Sequence, residues 1–203
     1  MKRPKSGRPQ RSAGKRDQRR VIRVLTEGAV TEPGYLVQWA RRNRRIHIDF
    51  ADSGMVPLSL VQRARDYQQA NRRSRRGSRG IDFDEIWCIF DVDQHPNVAQ
   101  AINEAQQSGI CVAVSNPCFE LWLILHYEDQ TADIDRRDAQ RRARDLGAID
   151  AKRLEPNNIE ALLGGYEAAR LRAQQLRDRH VANGSDPTEN PSSTVWELVD
   201  RFL

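Results

Sequence analysis

The chain has 203 residues, 30% of them charged, and a formal net charge of +5 at pH 7. No stretch approaches the roughly 18 apolar residues that cross a membrane, and the first residues lack the apolar core of a signal peptide. The length leaves room for one α/β domain and a modest helical extension, and excludes two full domains. We therefore expect a cytoplasmic protein without a membrane partner. Cys88, Cys111 and Cys118 lack metal or redox spacing and are predicted to be reduced core thiols.

The first 20 residues form a basic tail. They contain nine Lys or Arg, one Asp, several Pro, Gly and Ser, and almost no apolar residue. This composition predicts a disordered arm at residues 1–20. Such an arm either binds the phosphates of nucleic acid without sequence preference or keeps the protein in solution, and the sequence favours neither interpretation.

Residues 21–127 alternate strand and helix patterns. β-Branched and apolar runs predict four strands, at residues 21–26, 46–50, 85–90 and 110–114. Helical spacing predicts helices that begin near Thr31 and end at the arginines of 41–45, and further helices at 57–71, 97–107 and 119–127. The third strand, EIWCIF, is typical of a strand buried on both faces. The alternation predicts an α/β domain with a mostly parallel, four-stranded, Rossmann-like sheet flanked by helices.

Residues 128–203 have a different character. Charged, Ala-rich sequence predicts helices at 135–146 and about 157–181, with no strand pattern. Residues 183–193 read as a loop, and 194–203 as a short amphipathic helix. We expect a C-terminal helical extension whose last helix packs on the core or on another subunit, which leaves a homodimer open.

A cluster of arginines lies in a Ser- and Gly-rich segment before the third strand. We interpret it as a flexible basic loop that binds nucleic acid through its phosphates, whether DNA or RNA. Its members are Arg72, Arg73, Arg75, Arg76 and Arg79.

Acidic residues follow two of the predicted strands. Glu27-Gly28 comes directly after the first strand, and Asp91-Val92-Asp93 ends the third. Ligands of an open parallel sheet bind at the carboxyl ends of the strands, and residues i and i+2 of an extended chain point the same way. If the two strands are neighbours, we expect the three carboxylates to converge. The alternative interpretation of the Asp-x-Asp motif is a pair of aspartates that cap a turn.

Carboxylates in such close contact repel one another unless a cation compensates them. Mg²⁺ or Mn²⁺ suits oxygen ligands and completes its coordination with water and substrate phosphate. Such an ion polarises a phosphoryl oxygen and lowers the pKa of a coordinated water. We therefore predict that Glu27, Asp91 and Asp93 gather a divalent cation for phosphodiester chemistry.

Four sequence blocks carry a family resemblance. They are EGAVTEP at 27–33, FDVDQH at 90–95, SNPCFELWLILH at 115–126 and NPSSTV at 190–195. Together they resemble the RloB-like family, and the order of strands and acidic motifs over residues 20–116 is similar to the TOPRIM fold of topoisomerases, bacterial primases and OLD-type nucleases. The resemblance implies a nuclease associated with restriction-modification loci and phage defence. It also implies Glu27 as general acid/base or ligand, and Asp91 and Asp93 as metal ligands.

Five further residues lie in or near these motifs, and three of them have two interpretations each. His95 either contacts phosphate or orients water at the crevice, or is an incidental loop histidine. Glu32 is a further metal-site carboxylate or the acidic first turn of a helix. Asn116 and Glu120 follow the fourth strand and open toward the same edge, where Glu120 completes the site or caps a helix. His126 is best interpreted as a core histidine.

Two functions of different classes fit these observations. The first is a metal-dependent endonuclease that acts on DNA or RNA in phage defence. The second is a catalytically silent nucleic-acid-binding partner of a separate defence ATPase, and such a protein would tolerate Glu27→Gln. Rossmann-type nucleotide binding is disfavoured because neither G-x-G-x-x-G nor a P-loop is present. The chain has no room for the further domains of a primase or topoisomerase.

Overall fold

The computed structural model describes residues 19–74, 82–92 and 95–203. Several predicted features lie outside these residues: the tail as far as residue 18, the arginines Arg75, Arg76 and Arg79, and the predicted metal ligand Asp93. The roles assigned to them stay predictions.

The described part of the chain contains seven strands. Five of them form one sheet in the order β2-β1-β3-β4-β7, in which β1 to β4 run parallel and β7 pairs antiparallel with β4. The other two form a separate hairpin. The strands are β1 (Arg20–Thr26), β2 (Ile46–Ser53), β3 (Glu85–Asp91), β4 (Cys111–Asn116), β5 (Ile149–Asp150), β6 (Arg153–Leu154) and β7 (Ser192–Ser193).

The predicted mostly parallel α/β sheet is confirmed, but the prediction of four strands was one short. The expectation of no strand beyond residue 128 was also wrong, because β5, β6 and β7 lie there. Each has two residues, too few for an apolar alternation. The serines of β7 are ordered by long-range contacts instead: Ser193 pairs with Ser115, and Thr194 Oγ1 accepts the N–H of Val114 at 2.9 Å.

Within the described residues, eight α-helices connect the strands and follow them. The region predicted as one helix at 157–181 is two helices, which are separated at Gly165. At this residue the backbone passes so close to the His126 carbonyl oxygen that a Cβ would lie 2.6 Å from it. The helices are α1 (Thr31–Arg42), α2 (Pro57–Ser74), α3 (Val98–Ser108), α4 (Phe119–Ile124), α5 (Arg136–Asp145), α6 (Ile159–Gly164), α7 (Tyr166–Ala182) and α8 (Val195–Val199).

Apolar clusters cover both faces of the sheet. Along β3, Trp87 and Ile89 enter the cluster shared with α1 and the C-terminal helices, while Cys88 and Phe90 enter the cluster shared with α2 and α3. This confirms that β3 is buried on both faces. Leu198 of α8 belongs to the first cluster, so the last helix packs on its own chain. Among the described helices, none is long and apolar enough to cross a membrane.

Candidate active site

Two neighbouring strands bring together the first pair of carboxylates. β1 and β3 pair in parallel up to Thr26, opposite Ile89, so their carboxyl ends lie side by side. The N–H of Glu27 donates to the carbonyl of Ile89 at 2.9 Å, and Glu27 Oε2 accepts the N–H of Asp91 at 3.1 Å. Glu27 and Asp91 therefore meet although they are 64 positions apart in the chain.

Asp91 is held by the beginnings of two helices. It is buried, with 5% of its surface exposed. Its Oδ1 accepts the N–H of Phe119 at 3.0 Å, at the start of α4, and its Oδ2 accepts from the guanidinium of Arg136 at 2.9 Å, at the start of α5. Both carboxylate oxygens of Asp91 thus have protein donors.

The charges around Asp91 oppose one another. Burial is the main reason that the pKa of Asp91 lies well above its ordinary value, and the negative charges of Glu27 and Glu32 add to the shift. Arg136 acts against it. Burial also disfavours the charge of Arg136, but the Asp91 carboxylate holds the pKa of Arg136 above its ordinary value. Arg136 is the counter-ion of a carboxylate that burial would otherwise neutralise.

His95 contacts the other oxygen of Glu27. Its Nε2 lies 3.0 Å from Glu27 Oε1, and about a quarter of its side chain is exposed. The contact is a hydrogen bond when the ring is neutral with its proton on Nε2, and an ion pair when the ring is protonated. The structure therefore places His95 beside the carboxylate pair rather than in a remote loop.

Glu32 closes the turn that follows β1. It lies in the first turn of α1, is 5% exposed, and accepts the N–H of Gly28 on Oε1 at 2.8 Å. A Cβ on Gly28 would collide with this carboxylate, so only glycine lets the turn approach so closely. Burial raises the pKa of Glu32, and its two backbone hydrogen bonds oppose the shift. Glu32 occupies the first helical turn and also faces the site.

Glu27, Glu32 and Asp91 line one cleft of about 230 Å³ at the carboxyl edge of the sheet. Glu120 of α4, which is 7% exposed, joins Glu27, Glu32 and Asp91 there. Two cationic residues line it as well, Arg136 and, from the turn of the β5–β6 hairpin, Lys152. The remaining lining residues are Gly28, Ala29, Val30, Thr31, Phe119 and Gln140.

The donor set suits a hard divalent cation in its chemistry. Carboxylate oxygens are the ligands that Mg²⁺ and Mn²⁺ prefer, and a cation would relieve the repulsion that Asp91 experiences from its acidic neighbours. Within residues 19–74, 82–92 and 95–203, no three His, Cys, Asp or Glu side chains form a metal-binding group. Glu27 and Asp91 are the described residues that would hold the ion, and Asp93 lies outside the described part.

A protein-family model described as RloB-like protein matches residues 22–202. The chain belongs to the RloB-like family. The match contains every residue that lines the cleft. The family predicted from the four sequence blocks is thus confirmed. No curated protein matches the chain.

Two of the predicted residues in this RloB-like protein have other contacts. Asn116 is not among the residues that line the cleft, and its Nδ2 donates to the carbonyl of Thr188 at 2.8 Å, which ties β4 to the loop before β7. His126 is buried between the hydroxyl of Tyr35 at 3.0 Å and the carbonyl of Trp122 at 2.8 Å. Burial lowers its pKa to about 4, so it is a neutral core histidine, as predicted.

Sequence reasoning missed both cations of the RloB-like cleft. Arg136 follows the N-cap Asp135, whose side chain accepts the N–H of Asp138 at 2.9 Å, and the sequence does signal this helix start. Nothing local distinguishes Arg136 from the other arginines of α5. Lys152 is placed by its backbone, because its carbonyl accepts from the hydroxyl of Thr31 at 2.8 Å.

Two of the predicted nucleic-acid-binding arginines, Arg72 and Arg73, lie in the described part of the chain, far from this cleft in the topology. Arg72 and Arg73 are exposed in the last turn of α2. Asn71 Nδ2 donates to the carbonyl of Phe83 at 3.0 Å, just before β3, so this end of α2 lies at the amino edge of the sheet. The cleft lies at the opposite, carboxyl edge.

Proposed function

We propose that this RloB-like protein is a Mg²⁺- or Mn²⁺-dependent nuclease of the TOPRIM type, which hydrolyses phosphodiester bonds of nucleic acid in phage defence. The observation that carries the proposal is the hydrogen bond between Glu27 and Asp91, which joins two adjacent strand ends inside one cleft. The carboxyl edge of a parallel sheet is where such folds bind their ligands. Arg136 adds a phosphate-binding group to the same cleft.

The proposed chemistry divides among the residues that line or border the cleft. A divalent cation, when bound, would polarise a phosphoryl oxygen of the substrate and lower the pKa of a coordinated water. Glu27 Oε1 lies against His95 Nε2, an arrangement that holds or moves a proton between the two side chains. Arg136 can donate to a non-bridging phosphate oxygen while Asp91 keeps the guanidinium oriented.

The defence role rests on the family resemblance together with this site. In that setting we propose a separate ATPase as a partner and nucleic acid as the substrate. The substrate proposal is supported by a cleft that gathers carboxylates and cations at one edge of the sheet.

One observation favours the second candidate function, a catalytically silent binder. Both oxygens of Asp91 already accept hydrogen bonds from protein donors, so the carboxylate is satisfied without a metal ion. In a silent protein, Glu27→Gln would preserve nucleic-acid binding and phage protection alike. In a nuclease it would abolish protection and leave binding in place.

The deciding experiment is incubation of the purified protein with labelled DNA and with total RNA, in Mg²⁺, Mn²⁺ or EDTA. Asp91→Asn is the test variant, because it removes the negative charge and replaces the oxygen that accepts from Arg136 with an amide group. Asp66→Asn, the same change at an exposed position of α2, is the matched control. We expect cleavage that requires the metal, is lost in Asp91→Asn by at least about 100-fold and survives in Asp66→Asn. Cleavage in EDTA would contradict the proposed mechanism.

A further inference from the structure

Helix α5 carries an unusual excess of positive charge beside the cleft. Its ten residues contain five arginines and two aspartates, and only its alanines, Ala139 and Ala143, are buried. Two of the arginines are neutralised locally. Arg141 pairs with Asp138 at 2.7 Å, and Arg142 pairs with Glu128 of the preceding loop.

Of the other three, Arg136 pairs with Asp91 inside the cleft, and the remaining two are Arg137 and Arg144. Arg136 lines the cleft, and Gln140 lines it one turn later. Consecutive helical residues are about 100° apart, which puts Arg144 and Arg137 at about 80° and 100° from Arg136 around the axis. Both are exposed, and neither has an ion-pair partner in the part of the chain that the structure describes.

We therefore name Arg136, Arg144 and Arg137 the α5 strip. It begins inside the cleft at Asp91 and continues onto the solvent-exposed side of the helix, away from the buried alanines. From Arg136 to Arg144 it extends about 12 Å along the helix axis. That length corresponds to a few nucleotides of a strand rather than to one small anion.

We propose that the α5 strip binds the phosphodiester backbone of a nucleic-acid strand and directs it into the cleft. This inference rests on the proposed function, since it assumes that a phosphodiester reaches Glu27 and Asp91. The four carboxylates of the cleft repel a polyanion, so the strand has to be held by cations beside them. Guanidinium groups bind phosphate through paired hydrogen bonds. The α5 strip supplies such groups at the cleft edge, where Arg72 and Arg73 do not lie.

The test measures binding without catalysis. A fluorescein-labelled single strand of about 20 nucleotides, as DNA and as RNA, is titrated with full-length protein in EDTA, and anisotropy is followed at several salt concentrations. The test variant is R137Q/R144Q, which leaves every residue of the cleft unchanged. The matched control is R44Q/R45Q, two exposed arginines before β2, at the amino edge of the sheet.

For a single strand, each phosphate contact contributes about 0.7 to the slope of log K against log salt. R137Q/R144Q should therefore flatten the slope by about 1.4 and weaken binding about 25-fold at 0.1 M salt. R44Q/R45Q should stay within about two-fold of the wild type. The DNA and RNA arms show which polymer binds more tightly.

Equal losses in the two double variants would mean that only net charge matters, and would overturn the inference. So would unchanged binding in R137Q/R144Q, or no binding by the wild type. A poly-glutamate competitor as effective as the oligonucleotide would make the strip a surface for acidic proteins, and would also overturn it. Failure of the nuclease proposal is distinguishable from failure of this inference. If R137Q/R144Q specifically loses oligonucleotide binding but the wild type shows no Mg²⁺-dependent cleavage, the nuclease proposal is wrong and the α5 strip is still supported.

Discussion

Arg136→Gln tests whether this arginine compensates the charge of the buried Asp91. The substitution removes the guanidinium that contacts Asp91 Oδ2 at 2.9 Å, while the N–H of Phe119 still donates to Oδ1. Asp91 then keeps its negative neighbours but loses its counter-ion. The folded state must either hold an uncompensated carboxylate or protonate it.

The expected loss of stability follows from the exposure of the two partners. Breaking a fully buried ion pair by removing one partner costs about 3 to 5 kcal/mol. The Asp91 side chain is 7% exposed but that of Arg136 is 33% exposed, so water already screens the pair in part. We expect about 2 kcal/mol at neutral pH. For a chain of this size that corresponds to a lower Tm by about 4 to 8 °C.

The direction of the pH dependence is set by the raised pKa of Asp91. The pKa of an aspartate in the unfolded chain is about 3.9. Between that pH and the higher pKa of Asp91 in the folded state, the folded protein binds more protons at this site than the unfolded chain does. The free energy of unfolding therefore falls as the pH rises through the pKa of the folded state. Loss of Arg136 raises the folded pKa further. The gap in Tm between wild type and Arg136→Gln should therefore be smallest in the acidic range and grow as the pH rises toward neutral and mildly basic values.

The assay is thermal unfolding followed by circular dichroism across this pH range, with Arg142→Gln as the control. That variant breaks an ion pair of the same helix in which 43% of the arginine and 32% of the Glu128 side chain are exposed, so we expect a smaller loss of stability than in Arg136→Gln. Hydrogen bonding from Arg142 lowers the pKa of Glu128, so its contribution disappears only as pH falls into the acidic range. Equal and pH-independent losses in both variants would refute the counter-ion role of Arg136.

Three further predictions concern the turn after β1 and the basic end of α2. Gly28→Ala should cost about 1 to 3 kcal/mol in urea unfolding, because its Cβ would displace the Glu32 carboxylate; an unchanged midpoint would contradict that close approach. Glu32→Gln keeps an acceptor for the Gly28 N–H and removes a carboxyl group whose pKa is raised by burial. The stability of this variant relative to the wild type should therefore increase with pH, and unfolding at several pH values measures this. R72Q/R73Q should change oligonucleotide affinity by less than about two-fold, and a loss as large as that of R137Q/R144Q would place the strand at the amino edge of the sheet.

Much of the α/β architecture was readable from local sequence. β-Branched runs and the apolar EIWCIF segment identified β1 and β3, because a strand buried on one or both faces must carry apolar side chains in that pattern. The acidic residues at their ends then indicated the carboxyl edge of a parallel sheet. Glu27 and Asp91 could be paired from sequence for this reason, since only the adjacency of the two strands had to be assumed.

The cations of the cleft could not be predicted in this way, and only the tertiary structure assigned them. Arg136 reaches Asp91 across 45 positions of the chain, and Lys152 reaches the cleft because its carbonyl binds Thr31, 121 positions earlier. Neither contact can be recognised from the neighbouring residues in the sequence. A charged side chain in an Arg-rich helix or in a hairpin turn has the same sequence context whether it faces solvent or a carboxylate. The serines of β7 are a similar case, since their pairing with β4 comes from the approach of two distant segments. Periodicity and end residues thus determined the sheet and its acidic edge, whereas the packing of residues 128–203 against that edge decided which charges meet there.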